Sequence, residues 1–268
     1  MTWAAATLFA ALVVATPAAA TVVGDATGAG IAHATVHSIS TRDPGVAVVL
    51  VSHGPHGRTR PDRPTSTPPA LLVRVTHDLG IRARPRAAAG TIGILPSVSK
   101  YYHVPITAWV EAISRDGRWG RVEIPYVSPR RDGWIPLAGL SRSSTAIGVE
   151  VDLSAHRLTV TKAGRTLISF PAATGTSASP TPAGEYFVTD RIAFSAGGPL
   201  GSFAFGISGI QPHLPAGWSG GNQLAIHGTN NPGSIGTSAS AGCVRVSETA
   251  LARLRPLLVL GTPVLIHS

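Results

Sequence analysis

The sequence predicts a mainly β protein with two modest domains, and three observations support this. Val, Ile and Thr gather in short runs, and abundant glycine (30) and proline (22) punctuate those runs with turns. Only one segment combines a helical period with a cap. At 268 residues the chain exceeds the usual single domain of roughly 100 to 200 residues, so two separate cores are expected.

Taken in order, residues 4 to 16 form an apolar run closed by Pro17 and Ala18-Ala19-Ala20, the pattern of a signal-peptide core and small-residue cleavage site. Residues 1–20 are therefore expected to direct export, to the cell wall, periplasm or outer face of the membrane. Met1-Thr2-Trp3 carry no positive charge, so retention as an N-terminal membrane tether is the alternative, although the run is shorter than the roughly 20 residues that span a bilayer. Residues 21–70 read as a low-complexity linker. Its portion 52–69 is rich in Pro, Arg, Ser and Thr, a composition that stays extended.

Order returns at Leu71. LLVRVTHDLGIRARP alternates apolar and polar residues, and short strand-like runs continue to Leu140, too short for anything but a small barrel or sandwich over 71–140. Trp119 and Trp134 read as core or groove aromatics, because no ionisable partner recurs beside them. Ser141 to Ser144 form a polar joint.

A second domain follows over 146–268. Strands are expected at 147–153, 157–162 and 166–175, with Ala163-Gly164 as the turn between the second and third. TPAGEYFVTD (181–190) adds a turn and strand, LAIHG (224–228) a strand ending in a polar pair, and TPVLIHS a closing strand. SETALARLRPLL is the one helix, with Ser247 as N-cap and Leu251, Leu254 and Leu258 on one face. Arg191 to Gly221 reads as a long loop covering the site, carrying Phe194, Phe203, Phe205, Pro212, His213 and Trp218.

Lys plus Arg exceed Asp plus Glu by 22 to 13, a formal charge of +9 that draws the chain towards polyanions. Without a basic stripe, zinc-finger spacing or helix-turn-helix, nucleic acid is the weakest partner, and an anionic wall polymer or membrane surface fits better.

Cys243 is the only cysteine, so no intramolecular disulfide forms, and a lone cysteine in an exported chain points to chemistry. His227 precedes it by sixteen positions in IHGTNNPGSIGTSASAGCVRVS, at the end of an apolar strand. A free thiol is only a few per cent ionised at neutral pH, and an adjacent imidazole can take its proton. Gly242 lets the backbone approach a carbonyl closely, which suggests an oxyanion site from the Gly242 and Cys243 amides. Arg245, two positions on, shares the face of Cys243 on a strand and suits either a peptide carboxylate or a structural ion pair. The remaining histidines show no metal-ligand spacing with cysteine, so neither a metal nor another cofactor is expected.

That block resembles the signature of the L,D-transpeptidase catalytic domain, an HGT segment followed by a Ser-His-Gly-Cys-Val/Ile-Arg segment, here Ser240-Ala241-Gly242-Cys243-Val244-Arg245. The likeness extends back through TPAGEY and ATG (173–175) to the VDL strand, covering about 146–268. It departs from the pattern at Ala241, where the family has a histidine. LGIRARP, DGRWGRVEI and DGWIPLAGL in 71–140 resemble a bacterial Src-homology-3-like wall module. The resemblance implies a β-sandwich with one or two short helices, preceded by a small Src-homology-3-like barrel that binds peptidoglycan. It implies Cys243 as nucleophile and His227 as base, the latter oriented by a main-chain carbonyl for which Gly228, Thr229 and Ser240 are candidates. Arg245, Ser240, Thr229 and Trp218 are expected to contact substrate. The implied reaction is attack on a peptidoglycan tetrapeptide stem, release of D-alanine, and resolution of a thioester by another stem's amine. Resolution by water or by a protein side chain would instead make an L,D-carboxypeptidase or an anchoring enzyme. A rival of another class is a noncatalytic wall-binding protein.

Overall fold

A computed structural model describes residues 67–268 except Ala196. The expected signal peptide, and the linker up to residue 66, lie outside the described residues. The protein is mainly β. Its first eight strands are β1 (Ala70–Arg74), β2 (Leu79–Arg82), β3 (Thr91–Leu95), β4 (Thr107–Val110), β5 (Ala112–Ile113), β6 (Trp119–Glu123), β7 (Asp132–Pro136) and β8 (Ser141–Thr145). They form a three-stranded sheet ordered β4-β1-β8 and a five-stranded sheet ordered β3-β2-β7-β6-β5. Alternation in these strands turns Val73, Ile81, Val122 and Ile135 into one core. Gly120 and Gly133 lie where a Cβ would come within 3.0 Å of Leu137 and Ile81, so the strands close onto their neighbours.

The remaining strands are β9 (Ile147–Asp152), β10 (Arg157–Lys162), β11 (Arg165–Pro171), β12 (Thr174–Gly175), β13 (Gly184–Ala193), β14 (Phe203–Ile210), β15 (Gln223–His227), β16 (Ser238–Ser240), β17 (Val244–Arg245) and β18 (Pro263–His267). Eight of them form one sheet ordered β11-β10-β9-β18-β13-β14-β15-β17, parallel at β9–β18 and β15–β17; β12 and β16 form a separate parallel pair. Ala163 and Gly164, both at positive φ, make the two-residue turn between β10 and β11. The first half of β13 pairs with β18 and the second half with β14, with an irregularity between Val188 and Asp190. A strand that changes partners at a bulge lets a sheet fold over its own core. Val149, Val151, Leu158 and Val160 from one half accordingly share a core with Phe205, Ile207, Leu224 and Ile226 from the other. The helix α1 (Glu248–Leu254) is capped by Ser247, whose side chain accepts from the Ala250 amide, and it buries Leu251 and Leu254 in that core.

Three expectations need correction. The polar joint at Ser141 to Ser144 is strand β8, whose backbone completes the sheet beside β1 while its first four side chains face solvent. The segment expected as one long cover contains β14, and Phe203 and Phe205 are core residues whose ring centroids lie 5.0 Å apart at a tilt of 59°. Gly206 and Gly209, read as loop residues, are required within that strand. A Cβ there would meet Gln223 Nε2 at 2.6 Å and the Tyr186 ring at 2.6 Å. Finally, the two parts do not have fully separate cores, because Phe187 of β13, 1% exposed, packs among the residues of the N-terminal sheets.

Candidate functional site

The site is built where β15 and β17 run side by side. Their parallel register sets Ile226 against Val244 and His227 against Arg245. Cys243, one residue ahead of Val244, therefore lies beside Ala225, and side chains two apart on a strand share a face. Ala225, His227, Cys243 and Arg245 all line one cavity of about 550 Å³. The sixteen-residue separation in sequence thus becomes a diagonal placement across two neighbouring segments.

His227 is 3% exposed, and its Nδ1 lies 2.6 Å from the Gly228 carbonyl. Donation from Nδ1 to that oxygen leaves Nε2 as the unprotonated nitrogen. Burial lowers the His227 pKa to about 4, with the Gly228 bond opposing and the Arg245 charge assisting. The Cys243 thiol is half-buried and donates to the Gln223 carbonyl at 3.9 Å. Burial raises its pKa, while a backbone hydrogen bond at Ala225 and the Arg245 charge oppose the rise. The resting pair is consequently a neutral thiol and a neutral imidazole.

The turn leading to Cys243 is tied internally. Ser240 is 2% exposed; its hydroxyl donates to the Cys243 carbonyl at 2.6 Å and accepts from the Gly242 amide at 3.0 Å. Thr181 Oγ1 donates to the Gly242 carbonyl at 2.8 Å. Gly242 has φ of +117°, and a Cβ there would meet Gln211 Nε2 at 2.1 Å, so this position admits only glycine without rearrangement. Two expectations change as a result. The Gly242 amide, assigned to an oxyanion site, is already bound by Ser240, and Ser240, assigned to substrate, holds the turn.

Of the other expected substrate residues, Thr229 closes a local turn by accepting from the Asn231 amide at 3.0 Å and does not line the cavity. Trp218 does line it, on the loop between β14 and β15, with Nε1 donating to the Gly221 carbonyl at 3.1 Å. Arg245 donates to the Ala239 carbonyl at 3.3 Å, its buried Nε has no hydrogen-bond partner, and among the described residues no carboxylate pairs with it. Among the described residues, no group of three or more His, Cys, Asp or Glu side chains is placed to hold a metal.

Sequence reasoning missed three contributors. Gln211, 3% exposed, donates through Nε2 towards the Pro180 carbonyl at 2.9 Å and the Ser179 and Ala241 carbonyls at 3.3 Å, joining three segments behind the nucleophile. Tyr101 and Tyr102, from the β3–β4 connection, line the same cavity as Cys243. Their only sequence signal is that half of the chain's four tyrosines are adjacent.

The YkuD family model, an L,D-transpeptidase catalytic domain, matches residues 147–266. The YkuD protein of Bacillus subtilis (strain 168), assigned as an L,D-transpeptidase, is 32% identical over 119 residues, 44% of this chain and 65% of that protein. Its counterpart in Bacillus licheniformis is 30% identical over 172 residues, 61% of this chain and 96% of that protein. The chain belongs to the L,D-transpeptidase family. Among solved structures, L,D-transpeptidase 3 from Mycobacterium tuberculosis aligns at 18% identity and a TM-score of 0.41, over 59% of this chain and 82% of that one. Bd1075 from Bdellovibrio bacteriovorus aligns at 24% identity and a TM-score of 0.36, over 46% and 48%. The chain thus spans just under two thirds of the Bacillus subtilis relative and about half of the Bdellovibrio protein. The L,D-transpeptidase match ends within β18, so it takes in the whole β15–β17 site.

Proposed function

We propose that this L,D-transpeptidase family member is an exported enzyme that cross-links peptidoglycan stems through a thioester on Cys243. The observation that carries the reading is the common cavity of Cys243 and His227, with His227 Nδ1 at the Gly228 carbonyl and Nε2 available. As a donor stem binds, the Cys243 proton passes to His227 Nε2 and the sulfur attacks the carbonyl of the diamino acid at stem position three. His227 returns that proton to the departing amine, so D-alanine leaves and a thioester remains. An acceptor amine then loses its proton to His227 and attacks the thioester; the peptide bond forms and Cys243 regains its proton. Of the two amides assigned to the oxyanion, the one at Cys243 remains for that role. Arg245, which lines the same cavity and pairs with no carboxylate among the described residues, is the residue we assign to a stem carboxylate. That residues 71–140 act as a Src-homology-3-like module that binds the wall belongs to the same proposal.

The test is intact-mass spectrometry of wild type, Cys243→Ala and His227→Ala after exposure to a carbapenem and, separately, to disaccharide-tetrapeptide. A stable acyl adduct and released D-alanine in wild type alone are expected, with dimeric rather than tripeptide products. Tripeptide alone would make the protein a carboxypeptidase. A folded wild type unmodified by either reagent would overturn the catalytic reading in favour of a wall-binding protein.

A further inference from the structure

The β3–β4 connection belongs to the N-terminal sheets, yet it reaches the cavity of Cys243. Its turn is closed by the Ser99 amide donating to the Val104 carbonyl at 2.8 Å and the His103 amide to the Ser99 carbonyl at 3.2 Å. The Ser99 hydroxyl donates to the buried Asp190 carboxylate, at the bulge where β13 changes partners, and accepts from the Val104 amide at 3.1 Å. Gln223, whose carbonyl accepts from the thiol, donates to the same carboxylate through Nε2 at 2.8 Å. One buried acid therefore ties the start of β15, the strand that carries His227, to the tyrosine-bearing turn.

Beyond that anchor, Tyr101 donates through its hydroxyl to Asn222 Oδ1 at 2.7 Å and accepts from the Asn222 amide at 3.4 Å. A Cβ at Gly221 would lie 3.0 Å from the Tyr101 ring, and one at Gly220 would lie 3.0 Å from Trp218 Nε1. The two glycines let this loop lie against both aromatics. Tyr101 is the prop of the cavity rim, with its polar end used up, and the Trp218 N–H is likewise spent on Gly221. Of the three exposed rings that line the cavity, Tyr102 at 45% and Trp218 at 49% are more open than Tyr101 at 37%, whose hydroxyl is held by Asn222. Tyr102 lines the same cavity as Cys243.

We infer that Tyr102 and Trp218 form an aromatic platform, continuous with the Cys243 cavity, for a hexosamine ring of the glycan that carries the stem peptide. This inference rests on the peptidoglycan reading above. A pyranose presents a flat face of C–H bonds, which packs on the electron-rich face of an aromatic ring and needs no hydrogen bond from it. The two stem residues between the reacting diamino acid and the sugar span roughly 7 Å when extended. A sugar whose stem occupies Cys243 is thereby held away from the thiol, and the exposed rings that line the cavity are the surfaces we assign to it. The N-terminal sheets thereby contribute a specificity-determining residue to the site as well as a neighbouring domain.

The experiment compares kcat/KM for disaccharide-tetrapeptide with that for free tetrapeptide, in wild type, Tyr102→Leu, Trp218→Leu and Tyr102→Phe, each first shown to melt as wild type does. Wild type should prefer the disaccharide-bearing donor. Each leucine variant should lose roughly tenfold of that preference, the scale of one lost aromatic contact, through KM rather than kcat, and Tyr102→Phe should restore it. A wild-type ratio near one, or a ratio that survives both leucine variants, overturns the platform while leaving the catalytic reading standing. If wild type turns over neither donor, the catalytic reading fails. The platform is then decided by calorimetric titration of the Cys243→Ala protein with the free disaccharide. Binding that disappears on adding Tyr102→Leu supports it, and no binding, or binding that persists, overturns it.

Discussion

A neutral resting pair makes a sharp prediction for the reactivity of Cys243. An unperturbed thiol of pKa about 8.5 is roughly 3% thiolate at pH 7, and each unit of upward shift reduces that tenfold. Burial pushes this thiol up, so the rate of its alkylation by iodoacetamide at pH 7 should be below about 3% of the high-pH limit. His227, lowered to about 4, gives no step between pH 5 and 8. The assay is intact-mass alkylation of the free protein from pH 5 to 10, and the logarithm of the rate should rise with unit slope past pH 8. A neutral imidazole lends no charge to the thiolate, so His227→Ala should keep this profile while slowing acylation by a substrate, in which the proton must move, by roughly 100-fold or more. A flat rate across pH 5 to 8 in wild type, collapsing in His227→Ala, is the behaviour of a preformed thiolate and imidazolium and would refute the reasoning.

Three further outcomes follow from the packing. Gly242→Ala puts a Cβ at 2.1 Å from Gln211 Nε2 on a backbone at φ +117°, so it should cost about 1–3 kcal/mol by urea unfolding and more than tenfold in acylation; wild-type acylation would show that the turn tolerates a side chain. Phe187→Ala removes a ring that is 1% exposed between the N-terminal sheets and β13, and about 3–5 kcal/mol of stability should go with it, whereas a loss under 1 kcal/mol would mean the two parts are not joined through this core. Glu123 is buried and its pKa is raised from 4.5 to about 8, chiefly by burial, so the native state holds a proton there that the unfolded chain releases above 4.5. Its contribution is favourable at low pH and is lost as pH rises from about 4.5 to 8, so Glu123→Gln should melt ever higher relative to wild type over that window; a difference in Tm that is constant from pH 5 to 9 would contradict the shift.

The parts of the fold legible in the sequence are those in which one chain segment carries its own signal. Ser247 three residues before Ala250, with leucines on one face, specifies a capped helix, and Ala163-Gly164 between two apolar runs specifies a tight turn. Strand β14 was illegible because its requirement is tertiary. Gly206 and Gly209 look like loop residues until Gln223 and Tyr186 press against them, and Phe203 and Phe205 look like cover residues until the strand that buries them is present. Strand β8 was illegible for the opposite reason, since its hydroxyl-rich side chains do nothing for the sheet and only its backbone pairs. In the site, His227 and Cys243 were visible because each has a local glycine signal, His227 ending β15 just before Gly228 and Cys243 leading into β17 just after Gly242. Gln211 and Tyr102 were not visible, because nothing local ties either to a residue 30 or more positions away.

The same distinction bears on Ala241, the one departure from the family signature. The segment before Cys243 is held by groups that do not involve the side chain at 241. Gln211 Nε2 reaches the Ala241 carbonyl, Ser240 spans from the Gly242 amide to the Cys243 carbonyl, and Thr181 bonds the Gly242 carbonyl. The geometry of the nucleophile is therefore set by the backbone of residues 240 to 243 together with Gln211, Ser240 and Thr181. Residue 241 itself lines the cavity, so a change of side chain there bears on the cavity wall. Losing a histidine here removes a polar group from the substrate's surroundings without loosening the turn. The effect belongs to what the cavity admits, and it falls on the same cavity whose rim Tyr102 and Trp218 form.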